Sequence, residues 1–164
     1  MKTKLNEPNE RISPRAVSMW RVSRTIGHAV CLLLLAVLTG MDTAWNWWGW
    51  VGWVLYSLIG LTALSGVLSI AIEPTMLQRT WRYDVSEEYV QLKHGVLTRV
   101  HVLVPMTKVE YVTTDQGPIM RKYGLYNVTI GTMASSHVIP ALPKTEAFAL
   151  REQIAQLAQV KDGE

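Results

Sequence analysis

At 164 residues, with 49% hydrophobic residues and one cysteine, the chain has room for one modest domain and none for a disulfide framework or a thiolate metal site. Its formal charge of +3 is local in origin: residues 1–25 hold six Lys/Arg against Glu7 and Glu10, whereas residues 73–164 hold ten of each sign. That distribution excludes a nucleic-acid surface on the folded part and places the basicity where it suits orientation and anionic lipid.

Residues 1–24 read as a basic cytoplasmic arm, and Pro8 and Pro14 among polar neighbours give residues 1–15 the character of a loose tail. From Arg24 to Arg79 no lysine or arginine intervenes. The first apolar run, Ile26–Gly40, is short for a span, but Trp20, Val22 and Met41 extend it. The second, Trp48–Ile72, exceeds the ~20 residues that a ~30 Å hydrocarbon core requires, and Pro74 supplies a stop. These features predict a transmembrane hairpin over residues 25–73, with spans at about 25–41 and 48–72.

The connection, residues 42–50, is a tight turn rich in tryptophan. Trp45, Trp47, Trp48, Trp50 and Trp53 fall in it or just after it, with Trp20 and Trp81 at the opposite ends of the spans. An indole is apolar with one N–H donor and prefers the headgroup layer, so the pattern reads as an aromatic belt on each face. Lys2, Lys4, Arg11, Arg15, Arg21 and Arg24 precede the first span, Arg79 and Arg82 follow the second, and the turn carries only Asp42. The positive-inside rule therefore predicts two passes with both termini cytoplasmic. Two rival readings are weaker. Leu38–Ala44 is a poor signal-peptidase site, and a buried core hairpin conflicts with the tryptophan placement and the missing charge.

Residues 74–164 are left for a cytoplasmic domain. Alternation from Tyr83 to Lys93 suggests two strands about a turn at Ser86–Glu88. After the turn signal His94–Gly95, residues 96–104 alternate as one long strand ended by Pro105. Val109–Thr114 is the next strand, broken by Asp115–Pro118; Ile119–Tyr123 is a short segment closing at Gly124. Leu125–Met133 returns to strand, Ala134–His137 is a loop, and Val138–Leu142 is an edge strand because Pro140 cannot donate to a central ladder. A helix over about 144–160 presents Ala147, Leu150, Ile154, Leu157 and Ala158 on one face. Strands followed by a capping helix make an α+β domain with a mostly β body.

The series Trp81-Arg-Tyr-Asp-Val, Gly95-Val-Leu-Thr-Arg, Val104-Pro-Met-Thr-Lys-Val, Gly117-Pro-Ile-Met-Arg, Tyr123-Gly-Leu, Ile139-Pro and Glu146-Ala…Leu150-Arg resembles the bacterial PH-like domain of YdbS-type membrane proteins. The resemblance covers nearly the whole chain. It implies a helical hairpin followed by a PH-like antiparallel β-sandwich or barrel with a C-terminal helix. It further implies a companion membrane protein with PH-like domains.

Candidate contacts with a partner or lipid are Arg121 and Lys122 in Gly117-Pro-x-x-Arg121-x-x-Gly124, Lys93 and Arg99 beside His94 and His101, and Trp45, Trp47 and Trp48. Each has a plainer explanation. Gly117 and Gly124 permit positive φ while Arg121 pairs with Asp115 or Glu110; Glu87, Glu88 and Glu110 offset the basic hairpin; the indoles belong to the belt. His28 reads as an interfacial histidine, and Thr62, Gly66, Ser65 and Ser69 as a small-residue face for helix packing.

No metal-ligand spacing or phosphate loop stands out, and Ser135-Ser136-His137 reads as turn formers. The expectation is a non-catalytic, membrane-anchored interaction protein with no cofactor, metal or specific small molecule, whose partners are the bilayer and a companion membrane protein or a second copy. The alternatives are a component of resistance to membrane-active peptides such as bacteriocins, associated with similar proteins, and a small transporter or channel subunit.

Overall fold

The structure, a computed structural model, describes residues 8–96 and 98–162. The chain divides into two compact units, one of Ser18–Thr75 and one formed by the segment up to Val17 together with Met76 onward.

Helix α1 runs Arg15–Trp45 and α2 Gly49–Ala71. Arg15, Arg21 and Arg24 thus lie on the first helix, and the re-entry turn shrinks to residues 46–48. Asn46 takes φ 46°, the left-handed conformation that a short polar residue tolerates at a helix end. Pro74 does not end the helical path. It sits in the first turn of a new helix, α3 (Glu73–Thr80), where its missing N–H removes no bond. Within the hairpin His28 is held by α1 itself, its Nδ1 donating to the Arg24 carbonyl at 2.9 Å, and Nε2 lies 3.5 Å from Ser69 Oγ of α2. A Cβ on Gly66 would stand 3.0 Å from the His28 ring. The small face of α2 is therefore used for approach to α1. At the charged end Arg24 Nη2 pairs with Glu73 Oε1 at 2.6 Å.

The other unit holds six strands. β1 (Arg82–Val85), β2 (Tyr89–His94) and β3 (Val100–Pro105) form one antiparallel sheet in that order. β4 (Tyr111–Asp115), β5 (Leu125–Gly131) and β6 (Ser136–Pro143) form the second. The long strand expected over 96–104 is shorter: His94 pairs with Val100, and β3 begins only there, after a turn at Gly95 with φ 115°. Leu97 lies outside the described residues. Val109 is not in a strand, because Met106–Lys108 forms a single 3₁₀ turn closed by Val109 N–H to the Met106 carbonyl. Strand β6 starts at Ser136, inside the expected loop, and is an edge strand as Pro140 required. Helix α4 (Pro118–Tyr123) ends on Gly124 at φ 64°. Gly117, by contrast, has φ −74° and needs no glycine freedom.

Helix α5 (Lys144–Asp162) packs on β4, β5, β6 and the 3₁₀ turn, burying Ala147, Leu150, Ile154 and Ala158 against Val128, Ile130, Ile139 and Leu142 of the core. Buried Gln91 is satisfied by His101, whose Nε2 donates to Gln91 Oε1 at 3.1 Å.

Two further expectations fail. Residues 8–15 are not loose: Ile12 is fully buried, Glu10 and Tyr83 exchange both backbone bonds at 3.1 Å, and Gln78 Nε2 donates to the Ile12 carbonyl. The Tyr83 hydroxyl, buried and bonded to Glu10, is pushed well above the usual tyrosine range. Residues 1–7 lie outside the described residues. Trp81 is not a membrane-surface residue either. It is buried and stacked on His94, with ring centroids 4.5 Å apart, because it leads directly into β1 and its ring covers that end of the sheet.

Candidate functional site

Among the described residues of the domain, two concave surfaces stand out. The larger, about 870 Å³, runs from Leu103–Glu110 to the β5–β6 turn, with Thr132, Met133, Ser135 and His137 on its far wall. Strand order leaves β3 and β4 each at a sheet edge, so unpaired backbone lies beside this groove. Its surroundings are apolar for a surface: Leu103, Tyr111 and Val138 are exposed, and Met133 is 92% exposed. The turn itself is firmly made, with Thr132 N–H on the Ser135 carbonyl at 2.8 Å. Ser135 Oγ and His137 Nε2 stand 3.0 Å apart, but both belong to the same turn, and among the described residues no carboxylate orients the imidazole. Nucleophilic catalysis requires that third group.

The smaller surface, about 420 Å³, gathers cations. Arg79 and Thr80 come from the end of α3, Arg82 from β1, Lys93 and His94 from β2, and Gly95 and Arg99 from the β2–β3 loop; Pro8 and Asn9 close it. The β1–β2 register puts Arg82 directly across from Lys93. Arg82 is anchored by Nη1, which donates to the carbonyls of Arg79 at 3.0 Å and Trp81 at 2.9 Å. Burial, and then the Arg11 guanidinium, lower its pKa. Burial likewise holds His94 below the ordinary histidine range, with His137 acting in the same direction.

The residues singled out from the sequence separate accordingly. Lys93 and Arg99 meet in the cationic cleft. Arg121 and Lys122 stand on the exposed last turn of α4 and line neither concavity. Arg121 does not pair with Asp115, which accepts instead from Asn127 Nδ2 at 2.9 Å and from Thr129. Trp45 and Trp47 stack at 6.5 Å, and Trp47 and Trp48 with Asn46 and Val51 line a shallow hollow at the hairpin tip. Sequence reasoning missed Arg79 and Arg82, read there only as orientation charges. Part of the signal was available: a turn at 86–88 already brings residue 82 to within one position of residue 93 across the hairpin.

A family model described as "Bacterial PH domain" matches residues 21–158. The chain belongs to the bacterial PH domain family. It is similar to the transmembrane protein YdbS of Bacillus subtilis (strain 168), with 35% identity over 156 residues covering 95% of this chain and 96% of that one. No solved structure matches. The family match takes in both the hairpin and the PH-like domain. No catalytic family is indicated, and among the described residues no group of three metal-ligating side chains occurs. Membrane residence agrees with the helices themselves. The most apolar stretches of α1 and α2 are 0% and 11% buried, so they are not core helices of a soluble fold.

Proposed function

We propose that the protein is a non-catalytic, membrane-anchored interaction module. The hairpin crosses the cytoplasmic membrane twice with both termini inside, as the charge asymmetry directs. The PH-like domain then presents the β3–β4 groove to a companion membrane protein bearing PH-like domains. The observation that carries this reading is the pair of open sheet edges beside exposed Leu103, Tyr111 and Met133. An extended segment added to β3 would satisfy its free backbone groups and cover those side chains together. Confinement to one bilayer raises the local concentration of both partners.

The test is site-specific photo-crosslinking in native membranes, with the probe at Leu103 or Met133 and a control at exposed Glu152 on α5. A single defined adduct from both groove positions, absent from the control and, for the Met133 probe, lost on Leu103→Arg in a folded protein, is the expected result. Equal labelling at all three positions, or none in the groove, rejects the groove as an interface.

A second reading has its own observation. The tip of the hairpin exposes Trp45, Trp47 and Trp48, the last 76% exposed, where an arriving membrane-active peptide would first meet the protein. Under that reading, replacing the three indoles abolishes resistance without preventing insertion. Unchanged resistance removes the tip from the mechanism.

A further inference from the structure

We propose that the cationic cleft is a phosphate-binding site that takes the phosphate of an anionic lipid headgroup or a free phosphate. Three observations converge on it. The cleft is built by four separate pieces of chain — the N-terminal segment, α3, the β1–β2 pair and the β2–β3 loop — so its charge is not a run of neighbouring residues on one solvated face. Its volume of about 420 Å³ falls within the roughly 300–1,000 Å³ of small-molecule sites. Of the nine described residues that line it, four are Lys or Arg and none is a carboxylate.

The chemistry fits an oxyanion with several acceptor oxygens. A guanidinium offers a planar fork of N–H donors matched to phosphate geometry. Arg82 spends Nη1 on backbone carbonyls, which fixes the group and leaves Nε and Nη2 without a partner among the described residues. The side chains of Arg79 and Arg99 are exposed and make no ion pair among the described residues. Gathering like charges on one surface is unfavourable, because each disfavours the charged form of the next. An anion would offset that repulsion, and it would also favour the protonated form of His94 on the cleft wall. Lipid phosphate is at hand by connectivity, since only residues 72–78 separate the end of the apolar helix α2 from Arg79. The proposal is independent of the β3–β4 groove.

Titration calorimetry on the full chain in a non-ionic detergent tests it with three probes: dihexanoyl phosphatidylglycerol, its phosphatidylcholine analogue and inorganic phosphate. The anionic lipid is expected to bind saturably and the zwitterionic one not. Arg79→Gln with Arg99→Gln should weaken binding at least about tenfold, as expected for two charge-assisted contacts. The double variant at Arg121 and Lys122, which removes the same charge elsewhere, should leave it unchanged. Saturable, cleft-dependent binding of inorganic phosphate alone supports the site and assigns it to free phosphate. Absence of saturable binding by either anion overturns the proposal, as does an equal loss in the Arg121/Lys122 control. Arg79→Lys with Arg99→Lys, which keeps the charge, guards against a folding defect: it should retain most of the affinity.

Discussion

The hairpin and the PH-like domain place similar residues in opposite surroundings. Leu61 of α2 is 64% exposed, while Ile154 of α5 is 0% exposed. In the hairpin, lipid replaces water as the solvent for apolar surface, so helix contact rests on close approach at small residues, of His28 to Gly66 and of Asp42 to Gly52. In the domain, water drives the apolar groups together, and α5 exists as a stable element because its stripe is covered by β4, β5 and β6. Fold stability therefore resides mainly in the domain core, and the hairpin contributes location. The surfaces left for recognition are those that neither solvent accounts for: a groove flanked by exposed apolar side chains, and a cleft lined by four cationic ones.

The same kind of truncation in each region gives the largest contrast. Ile154→Ala is expected to destabilise the domain by about 2–5 kcal/mol, the transfer loss plus a cavity beneath α5. Leu61→Ala should cost under ~1 kcal/mol, because it exchanges one lipid-exposed apolar group for a smaller one. Thermal unfolding of the purified chain in detergent, with hydrogen exchange read separately on the domain, measures both. Comparable losses would mean that Leu61 packs on another protein rather than on lipid.

A glycine from each region sharpens the comparison. At Gly95, φ is 115° and a Cβ would fall 1.9 Å from the Thr98 carbonyl oxygen, so Gly95→Ala collides with backbone that cannot yield. A cost of about 1–3 kcal/mol is expected, with loss of the β2–β3 loop geometry. At Gly66 the Cβ of alanine would meet only the His28 ring at 3.0 Å, and a side chain can shift. Gly66→Ala should therefore cost less, with the His28–Ser69 approach lengthened. Denaturant titration of both variants checks the order; the reverse order would show that the hairpin interface is the more rigid of the two.

How much of this was legible beforehand follows the range of each interaction. The two apolar helices and the buried face of α5 were readable because periodicity and length are local properties of sequence. Trp81 was misread because an indole beside a span looks the same whether it meets headgroups or a core; what decides is His94, brought under it by the β1–β2 pairing. Ile12 was missed because one apolar residue among polar ones has no period, although it is fully buried through the Glu10–Tyr83 bridge. Of the two partners expected for Arg121, Asp115 or Glu110, the first failed for a related reason. Asp115 lies across from Asn127 in the β4–β5 ladder, and that amide claims the carboxylate first. Lys93 and Arg99 were found as neighbours in one hairpin, but Arg79 and Arg82 join them only through tertiary placement.

The smallest expected effect comes from the charge pair at the base of the hairpin. Arg24 and Glu73 meet at 2.6 Å, yet their side chains are 49% and 45% exposed. Exposed ion pairs contribute roughly 0.2–1 kcal/mol, since solvent screens the attraction and two long side chains lose freedom. Arg24→Gln should accordingly change unfolding by no more than that, and should leave insertion and the His28 bond to the residue-24 carbonyl intact. A double-mutant cycle with Glu73→Gln isolates the pair. A coupling well above about 1 kcal/mol would show that the pair sits in a less polar layer than water, and that the hairpin draws on electrostatic as well as lipid-driven order.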